Sequence, residues 1–336
     1  MEITFYILKM ASRDFKFSTQ IQEKQAYEVF IKNHDKLITE QFYFQQRWLV
    51  NAYERFKDFD KYLILCYLLN KVFKAYNEHL KVYNFDEFYS YESFEIQKIN
   101  IISLSKDLLI SKETARRKLI ELEKEGVLKK NKKNILINRK GQEFQKPTIS
   151  ITNLSRLISY FSEGLSYEKI LKSRIPNSDI EKKIKANFTQ CWQYFFDWQL
   201  PLLIRWKKLF NDLESWVIWG NCVYNQNLVM NKTFKENLAP ETLNDTFIDR
   251  LNNFGTQGLN AMTISELTGI PRPTVLRKLN ILVKNKFLIK DEKNLYLIFG
   301  GSKTSSKKSE YEKIYKEVDL IRKDNSINLV HMMTKL

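Results

Sequence analysis

Two groups of basic residues recur in this chain with the types and spacing needed to hold a polyanion. Lys112, Thr114, Arg116 and Arg117 fall within two helical turns, as do Arg272, Thr274, Arg277 and Lys278. A guanidinium is a rigid fork of donors that fits the O6/N7 edge of guanine or two phosphate oxygens, whereas a lysine acts as a point charge. Each group is followed by further lysines: Lys129, Lys130, Lys132 and Lys133 after the first, Lys290 and Lys293 after the second. Residues 111–140 hold eleven Lys/Arg against four acids, and residues 271–300 hold seven against two. Such clustering is the electrostatic footprint of nucleic acid. The candidate contacts are Ser111, Lys112, Thr114, Arg116, Arg117, Lys130, Lys132 and Lys133, then Arg272, Thr274, Arg277, Lys278, Lys290 and Lys293. Arg117 and Arg277 are expected on guanines, and Lys112, Arg116 and Arg272 on bases or phosphates. Thr114 and Thr274, early in their helices, suit a phosphate or a thymine methyl. The later lysines are expected to hold the backbone.

Other chemistry finds little material. The sequence has no glycine-rich phosphate loop and no Ser/His/Asp or Cys/His grouping, and its three histidines are too few for ordinary acid–base work. No enzyme and no cofactor are expected. Cys66, Cys191 and Cys222 are far apart and odd in number, and read as reduced thiols, Cys66 within a core. No metal-ligand spacing occurs, so no zinc site is expected.

The elements that carry the basic groups repeat. Residues 102–137 and 262–297 align without a gap at an offset of 160, with twelve identities, among them Ser105/Ser265, Ile110/Ile270, Thr114/Thr274, Arg117/Arg277 and Leu122/Leu282. An ungapped match of this length points to internal duplication. Leu104 and Ile264 belong to a short helix, each followed by a small serine that lets a second helix cross closely. Ile110 and Ile270 plug the turn. Ser111 is a good N-cap, and Pro271 and Pro273 suit a helix start. The next helix buries Ala115, Leu119 and Leu122, or Val275, Leu279 and Leu282. Gly126 then stops it, and two short strands flank the lysine-rich tip. Helix, turn, helix, hairpin is the pattern of a winged helix-turn-helix, whose second helix enters the major groove.

LSKDLLISKETARRKLIELEKEGVL and ISELTGIPRPTVLRKLNILVKNKFL resemble the winged-helix domains of bacterial regulators, most closely the MarR family. INRKGQEF after the first copy is similar to that family's strand-to-helix exit. The resemblance covers roughly 45 residues per copy. Neither wing carries the Asp/Arg pair usual in that family. The resembled regulators bind DNA as twofold dimers, one winged helix per half-site, and helices outside the winged helix make their dimer interface. The resemblance therefore implies that one chain with two copies acts as a pseudo-dimer, its recognition helices in successive major grooves about 34 Å apart. Because the two helices differ, an asymmetric site is expected.

A net charge of +16 accords with a polyanionic partner, and 43% hydrophobic residues are ample for one or two cores. Nine glycines and six prolines are few, so long helices and short connections are expected. The fold class expected is mainly α: two helical bundles, each followed by a winged helix. An arm spans 1–20. The first bundle and winged helix span 21–148, the winged part at about 98–145. A linker helix, second bundle and winged helix span 149–300, the winged part at about 258–300. A basic linker and C-terminal helix or tail complete 301–336.

Within these, 21–56 and 60–80 are helical, the latter apolar nearly all round and so buried. Residues 84–94 are a loop or edge segment. A helix covers 151–161, matched by 311–321. Gly164 and Pro176 mark a loop between halves, 301–309 is flexible, and the final residues are disordered. The repeat extends upstream at an offset of 154, where Phe42, Phe44 and Gln45 answer Phe196, Trp198 and Gln199. These aromatics are bundle core, with a small-molecule effector a weaker alternative. The apolar runs are too short to span a bilayer, and the first ten residues carry no export signal, so a cytoplasmic, nucleoid location without membrane is expected.

The function expected is a sequence-specific transcription regulator on double-stranded DNA, as a monomeric pseudo-dimer or a homodimer. A plasmid- or phage-type replication initiator, a nucleoid-associated protein and a winged-helix protein-interaction subunit are the alternatives.

Overall fold

The structure is a computed structural model that describes residues 21–138, 146–233, 257–298, 308–334 and 336. The arm over 1–20, most of INRKGQEF and the basic linker to residue 307 lie outside the described residues. The chain is mainly helical, with small antiparallel sheets. Its first elements are α1 (Glu23–Lys32), α2 (His34–Phe56), α3 (Phe59–Glu78), α4 (Phe85–Ser90), β1 (Ser93–Gln97), α5 (Ile101–Asp107), α6 (Lys112–Lys124), β2 (Leu128–Lys130), β3 (Asn134–Asn138) and α7 (Thr148–Tyr167). Then come α8 (Asn177–Ala186), α9 (Phe188–Phe210), α10 (Leu213–Thr233), α11 (Ala261–Thr268), α12 (Arg272–Lys284), β4 (Leu288–Lys290), β5 (Tyr296–Ile298) and α13 (Lys308–Thr334).

The long helices start and stop for local reasons. Lys57 turns left-handed (φ 51°) after α2, and Asp58 caps α3 by accepting from the Lys61 N–H at 3.0 Å. Asn211 does the same after α9 (φ 68°), and Asp212 accepts from the Ser215 N–H at 2.7 Å. The acids at these starts are therefore caps, as their position suggests.

The chain divides into two compact units. One comprises Asn51–Ile151 and Glu181–Trp216. Its centre is α3, which buries Leu63, Ile64, Leu65, Cys66, Leu68 and Phe73 and lies along α9. The core is aromatic: Phe73 packs on Phe88, Phe188 and Phe196 with ring centroids 5.1, 6.0 and 5.9 Å away. Burial pushes the Cys66 thiol up to about 12, so it is inert packing. Strands order β1-β3-β2, with Phe94 opposite Ile137 and Ile96 opposite Ile135, all buried against the helices.

The other unit comprises Met1–Val50, Thr152–Ile180 and Val217–Lys335. It holds α11, α12 and the β4–β5 hairpin. Its interior is more polar: Gln41, Gln46, Asn153, Ser155, Asn221 and Asn325 are all buried. Where α2 meets α10, Asn221 donates to Gln46 Oε1 at 2.9 Å and to the Val217 carbonyl at 2.9 Å. Gly220 sits beneath the Gln46 amide, which a methyl group there would overlap. Tyr27 donates to Asp319 at 2.7 Å, fastening α1 to α13.

Several expectations are corrected. Residues 84–94 are not a loop but a capped helix turn that runs into the edge strand β1, so the edge half of that expectation holds; alternating Phe94 and Ile96 have a sheet face to fill. Asn33 divides 21–56 into α1 and α2; its side chain donates back to the Val29 carbonyl at 2.9 Å. Gly164 lies inside α7 and marks no loop: a Cβ there would meet Val29 and Asn33 within 3 Å, so the glycine admits α1. The C-terminal residues continue α13 to Thr334, because Leu329, Val330, Met332 and Met333 are buried. Among the described residues no helix is long and apolar enough to cross a membrane.

Candidate nucleic-acid interface

The two basic groups lie on α6 and α12, each preceded by a short helix. In both places the turn between helices closes alike. Ser105 Oγ donates to the Ile110 carbonyl at 2.6 Å, and Ser265 Oγ to the Ile270 carbonyl at 2.7 Å. The serine is therefore not only small; it satisfies a turn carbonyl. Leu109 (φ 50°) and Gly269 (φ 67°), 160 residues apart, make the same left-handed step. At the far end, the Val127 N–H reaches the Leu122 carbonyl at 2.9 Å, and the Phe287 N–H reaches Leu282 at 2.8 Å. Gly126 (φ 72°) and Lys286 (φ 59°) turn left-handed just before.

These turns orient the helices. α6 buries Ala115, Leu119 and Leu122 and keeps Lys112, Glu113, Arg116 and Arg117 exposed. α12 buries Val275, Leu279 and Leu282 and keeps Arg272, Leu276 and Arg277 exposed. Ser111 caps α6, accepting from the Thr114 N–H at 3.0 Å, and its hydroxyl also meets the Thr114 hydroxyl at 2.9 Å. Pro271 and Pro273 stand at the start of α12. The hairpin tips are held by side chains at matching positions: Asn131 Oδ1 accepts from the Asn134 N–H at 2.6 Å, and Asp291 Oδ1 from the Leu295 N–H at 2.7 Å. Lys132, Lys133, Lys290 and Lys293 are exposed there.

Two candidate contacts are engaged elsewhere. Lys278 is 8% exposed on the buried side of α12, which takes it out of the surface. Its counterpart Lys118 is also drawn inward: its ammonium lies 2.8 Å from Asp58 and 2.8 Å from Glu121, tying α6 to the start of α3. Burial of Asp58 would raise its pKa, but hydrogen bonds from Lys118 and the Lys61 N–H outweigh this and hold the carboxyl below its ordinary value. Lys130 is half-buried, paired with Glu123 at 3.1 Å, while its own N–H donates to the same carboxylate at 3.1 Å. It fixes the base of the hairpin.

Further ties fasten α6 and its neighbours to the long helices. Lys61 meets Glu125 at 2.7 Å, Tyr67 donates to Asp107 at 2.9 Å, and Lys207 donates to the Leu108 carbonyl at 3.4 Å. In the other unit, Trp219 Nε1 donates to the Phe287 carbonyl at 3.2 Å, Asn225 to the Gln257 carbonyl at 2.6 Å, and the Ile298 N–H to Gln226.

The arginines of α6 pair with acids on the same helix, a pairing not among the expected contacts. Glu113 lies 4.0 Å from Arg116 and Glu121 lies 3.7 Å from Arg117. Their i,i+3 and i,i+4 spacings were the available signal. Among the described residues no group of His, Cys, Asp and Glu gathers as a metal site. Comparisons with protein-family models, with curated proteins and with solved structures each found no match.

Proposed function

We propose that the chain is internally duplicated, each half a helical bundle with a winged helix. On this reading it is a sequence-specific regulator of transcription on double-stranded DNA. One observation carries the reading: at two places 160 residues apart, a helix held by the same turn hydrogen bonds buries its apolar stripe and leaves its arginines exposed. Exposed lysines at the adjoining hairpin tip add a backbone grip. The element order supports duplication. α1, α2 and α3 recur as α8, α9 and α10 at an offset of 154, and α5, α6, β2 and β3 recur as α11, α12, β4 and β5. Each winged helix takes one major groove, so the chain serves as its own dimer, and the site is asymmetric because α6 and α12 differ. The likeness to MarR regulators belongs to this proposal.

A second reading has an observation of its own. Leu276, Ile281, Ile289 and Met262 are 38 to 51% exposed around α12, which suits a protein partner. Selection of fragmented genomic DNA from the source organism, at two salt concentrations, decides between them. Enrichment of one asymmetric motif is the expected result. Salt-sensitive retention without a motif would favour a nucleoid protein, and no retention at low salt would favour the protein-interaction module.

A further inference from the structure

Residue by residue at the offset of 160, α6 and α12 differ in charge in a patterned way. α6 carries five basic residues and three glutamates; α12 carries four basic residues and no acid. Where α6 has Glu113, Arg116 and Glu121, α12 has Pro273, Leu276 and Ile281. Glu113 is the most outward of these acids, its side chain 83% exposed in the first turn, 4.0 Å from Arg116. Glu121, 32% exposed, lies 3.7 Å from Arg117 and also accepts from Lys118 at 2.8 Å. A phosphate approaching α6 therefore meets arginines whose field is offset by neighbouring carboxylates. A phosphate approaching α12 meets Arg272 and Arg277 with no acid on that helix.

An exposed carboxylate at the start of a groove helix repels the backbone, yet it is an acceptor matched to the N4 amino group of cytosine. We infer that the two helices divide the work on DNA: α12 supplies the sequence-independent hold, and α6, screened by its own glutamates, engages where Glu113 meets a cytosine. This rests on the proposed DNA-binding function and goes beyond it by assigning affinity to one helix and discrimination to the other.

The test is the salt dependence of binding to a random-sequence duplex for wild type, Glu113→Gln/Glu121→Gln, and Pro273→Glu/Ile281→Glu, with thermal unfolding followed in parallel. Unscreening α6 is expected to steepen the slope of log K against log salt by about 1 to 2, since each added phosphate contact contributes about 0.9. Putting acids on α12 is expected to flatten it by about 1. Motif selection with Glu113→Gln alone should lose a cytosine preference in one half of the site. Slopes unchanged in both doubles, with wild type still binding, would overturn the division and leave the DNA reading intact. A selected motif with no cytosine that depends on Glu113 would overturn the discriminating role. If the α6 double unfolds because Glu121 also holds Lys118, the α12 double alone decides, its positions being surface-exposed. Wild type without salt-sensitive binding would sink the DNA reading and this inference with it.

Discussion

At the scale of single residues, three side chains carry separate consequences. Arg117 is exposed on α6, whereas Lys132 is exposed at a hairpin tip. Arg117→Ala is expected to cost about 1–3 kcal/mol on the selected sequence and to relax one position, while Lys132→Ala should weaken all sequences alike. Competition titrations with specific and random duplex separate the two. Asp58 joins a cap and a buried ion pair. Asp58→Ala should destabilise by about 2 kcal/mol in urea unfolding, through the lost cap and the loss of one of the two carboxylates that Lys118 holds. Its folded pKa lies below the ordinary 3.8. The contribution is therefore present above that value and lost as pH falls through the folded pKa, and the gap between wild type and variant should close in acid. His34 runs over a higher window. Burial foremost, then the Arg322 charge, holds it down to about 4. Its neutral form is matched to the fold above about pH 6.5, and stability should decline as pH falls from there toward 4, by about 2 kcal/mol at pH 5. His34→Gln should flatten the urea stability profile between pH 7 and 5.

At the scale of elements, the crossing of α2 and α10 depends on a missing side chain. Gly220 lets the Gln46 amide lie against the helix and meet Asn221. Gly220→Ala pushes that amide aside and should cost about 1–2 kcal/mol, chiefly the lost buried hydrogen bond. In a Gln46→Ala background the same substitution should cost measurably less. A double-mutant cycle by urea unfolding reads the difference, and strict additivity would count against this account. Helix existence was legible at this scale. All-round apolarity marked α3, and the Ser111 cap and the prolines marked the starts of α6 and α12. The helix turn α4 was not legible in NFDEFYSYESF, and which of these residues enter the edge strand β1 depends on the partner strand β3. Nor was Gly164, whose role depends on α1 packing against it.

At the scale of the whole molecule, the compact units do not follow the order of the chain. The unit that holds α6 also contains α9, so Phe188 and Phe196 pack with Phe73, Phe85 and Phe88 from a hundred or more residues earlier. A fragment of residues 1–150 lacks that half of the core. It is expected to unfold without cooperativity and to bind a hydrophobic dye, where the full chain gives a sharp transition. A cooperative urea transition in the fragment would contradict the packing.

The sequence by itself determined what local periodicity and repetition can encode. It specified the long helices, the helix–turn–helix–hairpin spacing at an offset of 160, and the outward position of Arg116, Arg117, Arg272 and Arg277, since an apolar stripe on one face leaves the other to charge. Only the tertiary structure decided which charges stay free. Lys278 and Lys118 read from sequence like their neighbours, yet Lys278 is buried and Lys118 is bound to Asp58, some sixty residues away in the chain. Chain folding brings that carboxylate alongside, and an ammonium drawn out of water needs such a partner, so this lysine becomes a tie within the fold.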